Sequence, residues 1–387
     1  GNVQITYGDE FYDTGFAPEW YDLSSENTRM DFDWTLHTKN NHKLKSGFEH
    51  TITDIQVLDI DEPWSGSSGF GANYDNYSAK TYFGAFYIQD RISFQGMTLN
   101  FGFRMDYWIP GRYVENAILD TNSIIITDQA RDLFFKETYK MPWFGDPYSL
   151  KARLSPRFGI SHPITDNDVL YFYYGHFSQL PTFQYVYAKI NSKSQSTYQV
   201  FGNPNLDPKT TVQYELGVKH KFSEDQVLEL KAYWKDMFDY ETSQTIRPSN
   251  PKYAYLSFNM YFNADYARAR GVEALLKSRL FTNWFIDFNF NYSIVTGKSS
   301  SPNDNLLVQA GQIREKPLGE NYMSWDRPIQ FFTNLSYNHP KNWGFSSRIE
   351  FKSGRRYTRS IQDTIIYQND VPYYDGPRED DRPYAYI

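Results

Sequence analysis

The sequence has no cysteine in 387 residues, so neither a disulfide framework nor a thiolate metal site is available. It also lacks any run approaching the roughly eighteen apolar residues a membrane-crossing helix needs. Its apolar clusters are short, as at Ile124, Ile125 and Ile126, and a helical inner-membrane protein is excluded. Positive charge is in deficit: 39 Lys and Arg face 46 Asp and Glu, a formal net charge of -7, which argues against a nucleic-acid partner. Residues 1–10 carry neither the basic cluster nor the apolar stretch of a secretion signal. Either a signal has been removed or the chain begins within something larger.

Patterns that carry covalent chemistry are missing as well. The histidines, at His37, His42, His50, His162, His176, His220 and His339, lie on different predicted strands and turns without metal-ligand spacing. Gly66, Ser67, Ser68 and Gly69 miss the nucleophile-elbow pattern, and Gly69, Phe70 and Gly71 do not continue into a dinucleotide fingerprint. The acidic clusters Asp59, Asp61, Glu62 and Glu379, Asp380, Asp381 read as solvated loops ahead of a calcium site. No catalytic residue, resident metal or cofactor is expected, and the chain does not read as an enzyme.

What the sequence does have is alternation. Met97, Leu99, Phe101, Phe103, Met105, Tyr107 and Ile109 fall on one face of a strand, and Thr98, Asn100, Gly102, Arg104 and Asp106 on the other. This period of two recurs about twelve times, as in the wall of a transmembrane β-barrel with lipid outside and a watery lumen inside. The mean hydropathy of -0.66 is compatible with this, because only half of each strand faces lipid. Aromatics make up 19% of the chain, and Tyr and Trp suit membrane interfaces.

Six hairpins are predicted: 27–37 with 42–57, 80–93 with 97–109, 151–162 with 169–177, 210–222 with 226–236, 268–280 with 284–295, and 325–338 with 343–351. Their turns are short, whereas the connections between hairpins are long, near 58–79, 110–150, 178–209, 240–267, 296–324 and 352–384. Short turns are assigned to the periplasmic side and long loops to the exterior. A soluble β-sandwich also alternates, but strand length, loop asymmetry and Trp284, Trp343 and Phe222 beside short turns favour the barrel. On the predicted lumen face stand Gln213, Glu215, Lys219 and Lys221, then Glu229, Lys231 and Lys235; opposite them are Val212, Tyr214, Leu216 and Val218, then Leu228, Leu230, Ala232 and Trp234. Charges in such numbers need water or protein against them.

Several stretches resemble the barrel of TonB-dependent outer-membrane receptors across about residues 81–351. They are Ser-Pro-Arg-Phe-Gly-Ile-Ser at 155–161, Tyr-Tyr-Gly-His-Phe at 173–177, and Gln179, Pro181 and Phe183. Gly202, Asn203, Pro204, Asn205, Leu206 and Pro208 follow, with Tyr214, Glu215, Leu216 and Gly217, Ala-Arg-Gly-Val-Glu at 269–273 and Trp-Asp-Arg-Pro at 325–328. As barrel hardware, Gly159, Gly175 and Gly271 would let strands bend or admit close neighbours.

The resemblance implies a 22-stranded barrel in the bacterial outer membrane, filled by a plug domain. It also implies import of a scarce nutrient such as a siderophore, cobalamin or glycan, driven by an inner-membrane energy-coupling complex. Residues 1–387 are then expected to form a partial barrel domain, without the plug and the first and last strands. Expected partners are outer-membrane lipid, that energy-coupling complex acting through the plug, and the small-molecule nutrient. The loop aromatics Trp64, Trp143, Phe144, Tyr185 and Tyr187, with Tyr74 and Tyr253, are candidates to stack on the nutrient, though packing between loops would also account for them. Competing readings are a complete twelve-stranded passive channel or porin, a soluble carbohydrate-binding β-protein, and a barrel hydrolase, the last lacking a convincing Ser and His pair.

Overall fold

Pairing begins at the short turns. In the turn of Gln95 and Gly96 both residues take positive φ, 46° and 81°, which gives a two-residue hairpin turn the twist of its strands. A computed structural model describes residues 4–5, 12–14, 19–39, 41–61, 73–111, 150–188, 200–203, 206–246, 258–280, 283–299, 301–304, 319–356, 365–368 and 371–374. In chain order the strands are β1 (Gln4–Ile5), β2 (Tyr12–Thr14), β3 (Glu19–His37), β4 (His42–Asp61), β5 (Asn73–Phe94), β6 (Met97–Ile109), β7 (Lys151–Pro163) and β8 (Asp168–Gln179). A short helix α1 (Phe183–Tyr187) precedes β9 (Val200–Phe201), β10 (Lys209–Ser223), β11 (Gln226–Ile246), β12 (Phe258–Leu280) and β13 (Trp284–Gly297). Then come β14 (Asn321–Tyr322), β15 (Ile329–Asn338), β16 (Gly344–Lys352), β17 (Ile365–Gln368) and β18 (Val371–Tyr374).

One sheet of 14 strands dominates, its main path running β3-β4-β5-β6-β7-β8-β10-β11-β12-β13-β15-β16, with β9 and β14 as side branches. Every pairing along that path is antiparallel. β1 with β2 and β17 with β18 form separate two-stranded sheets. All six predicted hairpins are present, and all their short turns lie at one end of the wall. β3 and β16 are the edges of the path and do not pair with each other among the described residues, so the wall is open there.

Two stretches differ from the predicted boundaries. β3, β4, β5, β11 and β12 run to 19–23 residues, extending the predicted strands toward the long-loop end, where polar and aromatic residues hide the oily alternation. Trp325–Pro328 is not strand, contrary to the expectation for 325–338: the chain turns there, and β15 starts at Ile329. Pro328 has no N–H to give a ladder, and the Asp326 carboxylate points inward to accept from the Val295 N–H at 3.0 Å and from Arg356 Nε at 3.1 Å. The long connections also hold structure of their own in α1, β9 and β14.

The wall curls. Tyr185 packs on Tyr261 of β12 at 4.5 Å between ring centroids, while Tyr187, two residues on, packs on Tyr77 of β5 at 6.2 Å. In a flat sheet six strand spacings, about 29 Å, would separate β5 from β12. Only a concave inner face brings both within reach of one helical turn. The convex face exposes a band of large apolar side chains, including Phe86 (49%), Ile88 (50%), Phe101 (44%), Phe103 (51%) and Leu216 (52%). A sandwich would have buried that band, and in water it would be an aggregation surface far beyond ordinary patches.

Tyrosines fill the gaps that glycines leave in this wall. The Tyr87, Tyr107, Tyr171 and Tyr233 rings lie over Gly47, Gly84, Gly217 and Gly271, their partners across the ladder, so that a Cβ at any of these glycines would strike the ring. Gly271 therefore admits a close neighbour, as its position in the sequence suggested.

Candidate functional site on the concave face

The concave face changes character along its height. Nearer the short turns it is charged and tyrosine-lined. Arg29 of β3 pairs with Asp31 at 2.8 Å and with Glu49 of β4 at 3.0 Å; Arg104 of β6 pairs with the same Glu49 and with Asp106 at 2.7 Å; Tyr87 of β5 donates to Asp33. The pattern continues around the wall with Lys219 to Glu229 at 3.3 Å, Tyr171 to Glu229 at 2.6 Å, and Lys231 to Glu273 at 2.8 Å. The lumen residues predicted on β10 and β11 thus face inward together. Half-exposed pairs contribute only about 0–1 kcal/mol each, so the ladder does little for stability; it keeps a surface that water can wet.

At the long-loop end the same face turns apolar, because the described parts of the connection from β8 to β10, α1, β9 and Leu206, lie over it as a strap. Ile55, Val57, Tyr77, Ala79 and Trp108 of the wall pack with Val186, Tyr187, Val200, Phe201 and Leu206 of the strap and with Met260 and Tyr261 of β12. Tyr187 is fully buried and donates its hydroxyl to the Pro110 carbonyl at 2.7 Å. Burial pushes the Tyr187 hydroxyl well above the ordinary tyrosine range, and Tyr185 in the same direction, with the Glu241 carboxylate adding to the second shift.

Polar anchors fix the strap at its base. Asn203 Nδ2 donates to the Tyr261 carbonyl at 2.8 Å, and the Asn263 side chain both accepts from the Asp207 N–H and donates to its carbonyl. Gly202 lies so close to α1 that a Cβ would sit 2.6 Å from the Val186 carbonyl oxygen, which is why no side chain fits there. Lys151, almost wholly buried, reaches Asp207 at 3.0 Å, and Lys209 reaches the buried Glu241 at 3.1 Å.

Of the aromatics singled out in the sequence, Tyr185 and Tyr187 come together in α1, where they serve the strap, and Tyr74 is half-buried at the start of β5. Trp64, Trp143, Phe144 and Tyr253 lie outside the described residues. Sequence reasoning missed the strap's salt bridges and the buried Asp326–Arg356 pair. The only available signal was the Trp-Asp-Arg-Pro run, which carries no hint of its partner thirty positions on. Among the described residues no group of three or more His, Asp or Glu is arranged to hold a metal ion.

A sequence model of the family described as "TonB dependent receptor-like, beta-barrel" matches residues 1–386. No curated protein matches. Among solved structures, the copper transporter OprC is 14% identical, with a TM-score of 0.53 over 86% of this chain and 44% of that one. The outer membrane transporter YddB from Escherichia coli is 13% identical, TM-score 0.54, over 89% and 44%. A variant of the ferric enterobactin receptor PfeA from Pseudomonas aeruginosa is 15% identical, TM-score 0.55, over 87% and 42%. The chain therefore spans less than half the length of the structures it resembles.

Proposed function

The chain belongs to the TonB dependent receptor-like β-barrel family, and on that premise we propose that it forms part of the wall of an energy-coupled importer in the bacterial outer membrane. The carrying observation is the pairing of an apolar convex band with a charged concave face, under long loops gathered at one end. Lipid takes the first face and hydrated solute the second. Further strands close the bore around a plug domain outside this chain, and the plug links it to the inner-membrane energy source. The nutrient is a scarce one of the siderophore, cobalamin or glycan kind, met at the outer mouth by the loop aromatics Trp64, Trp143, Phe144 and Tyr185, while Tyr187 holds the strap. The copper transporter and the ferric enterobactin receptor among the similar structures support this reading. The wall performs no covalent chemistry.

Uptake by cells carrying the full-length protein tests it. With labelled iron chelates, cobalamin and oligosaccharides offered separately, one class should accumulate against its gradient, and a protonophore should abolish that accumulation. Uptake that ignores the protonophore would instead identify a passive channel.

A further inference from the structure

Between β4 and β8 the concave face is hollowed into an alcove of about 390 Å³, inside the roughly 300–1,000 Å³ range of small-solute sites. Its floor includes bare backbone at Gly102 and Gly159. Three cations line it, Lys45, Arg104 and Arg157, and no carboxylate does. Arg104 is already engaged by Glu49 and Asp106. Lys45 and Arg157 differ from the paired cations around them: neither has a carboxylate within ion-pair distance among the described residues, and Arg157 lies 4.8 Å over the Phe177 ring. The amides of Gln89 and Asn100 and the rings of Tyr87 and Tyr173 add to the walls, and Ile88, Phe101, Phe103 and Phe158, which alternate with these residues along the strands, also line it.

We propose that this alcove is an anion site on the inner wall, taking a small solute through a carboxylate or phosphate group. The two oxygens of such a group suit the planar fork of Arg157, and Lys45 supplies a second charge on a flexible stem. Gln89 and Asn100 donate from their amide nitrogens, the glycine floor lets the solute approach the backbone, and the tyrosine rings flank its carbon skeleton. Because the anion is held mainly by charge, binding weakens with salt. The site rests on the importer reading only in taking the concave face as a wet solute path.

The test is equilibrium dialysis of the full-length protein in lipid nanodiscs, without an energy source, against radiolabelled citrate and, separately, inorganic phosphate. Wild type should bind at least one of them, and the double variant Lys45→Gln/Arg157→Gln should bind at least about tenfold more weakly. The charge-preserving pair Lys45→Arg/Arg157→Lys should retain binding, which guards against a folding failure. Gly159→Leu should lose it with both charges in place, since the first atom beyond a Cβ there is 3.5 Å away and the branched end must enter the alcove. Citrate binding alone assigns a carboxylate solute, and phosphate binding alone a phosphorylated one. Absence of both in wild type, undiminished binding in the double variant, or binding that survives Gly159→Leu would overturn the proposal. Since dialysis needs no transport, a negative result leaves protonophore-sensitive uptake untouched.

Discussion

Asn100 and Phe101 are adjacent in β6 and alternate between its faces: Asn100 shares the side of Gly102 and the ion-paired Arg104 on the concave face, and Phe101 is 44% exposed with Phe103 on the convex band. Arginine should therefore be costly at one and mild at the other. Phe101→Arg is expected to destabilise the barrel by about 2–4 kcal/mol if it lies near the bilayer midplane, and Asn100→Arg by less than about 1 kcal/mol. Urea titration of the full-length protein folding into vesicles measures both, and equal costs would contradict the assigned faces. Phe101 was legible from its parity alone. Ile55 and Val57 were not: they share a face with charged Glu49 but lie under the strap, a partner 130 residues away that alternation cannot announce. Asp326 was misplaced for a similar reason, its role being set by Arg356 and by the β13 backbone.

At the scale of elements, strand length tells where the membrane ends. A strand of about 20 residues, as β4 is, is roughly 68 Å long, and even tilted it overshoots an apolar band about 25 Å tall. The excess in β3–β5 and β11–β12 stands beyond the long-loop side and carries the strap. Strap packing should resist alkali in a defined sense. Tyr187 is held neutral by burial, so its raised folded value contributes stability that is fully present below the unfolded tyrosine value of about 10 and is lost as pH rises through the folded one. The 295 nm absorbance difference between wild type and Tyr187→Phe should accordingly appear only well above pH 10; a component titrating at the ordinary tyrosine value would mean the ring is solvated. The hairpins were legible because turn residues and period two act locally. The strap was not, because its described parts are held by strands distant in sequence.

For the whole molecule, the decisive relation is between two surfaces. The convex apolar band cannot be left to water, and the concave ion-pair ladder cannot be left to lipid, so orientation in a bilayer follows from the wall itself. Among the described residues β3 and β16 are the unpaired edges of the wall, and on the proposed importer reading they are the edges that further strands would cover. The absence of cysteine from this chain makes the relation directly measurable once any cysteine elsewhere in the full-length protein is replaced. With single cysteines placed one at a time from residue 98 to 106 of β6 in the full-length protein in outer-membrane vesicles, a water-soluble, membrane-impermeant maleimide reports which face is wet. The even positions should react and the odd ones should be protected, a period of two along the strand. Equal labelling of both sets, or protection of the even set with labelling of the odd, would contradict a wall that faces lipid outside and water within.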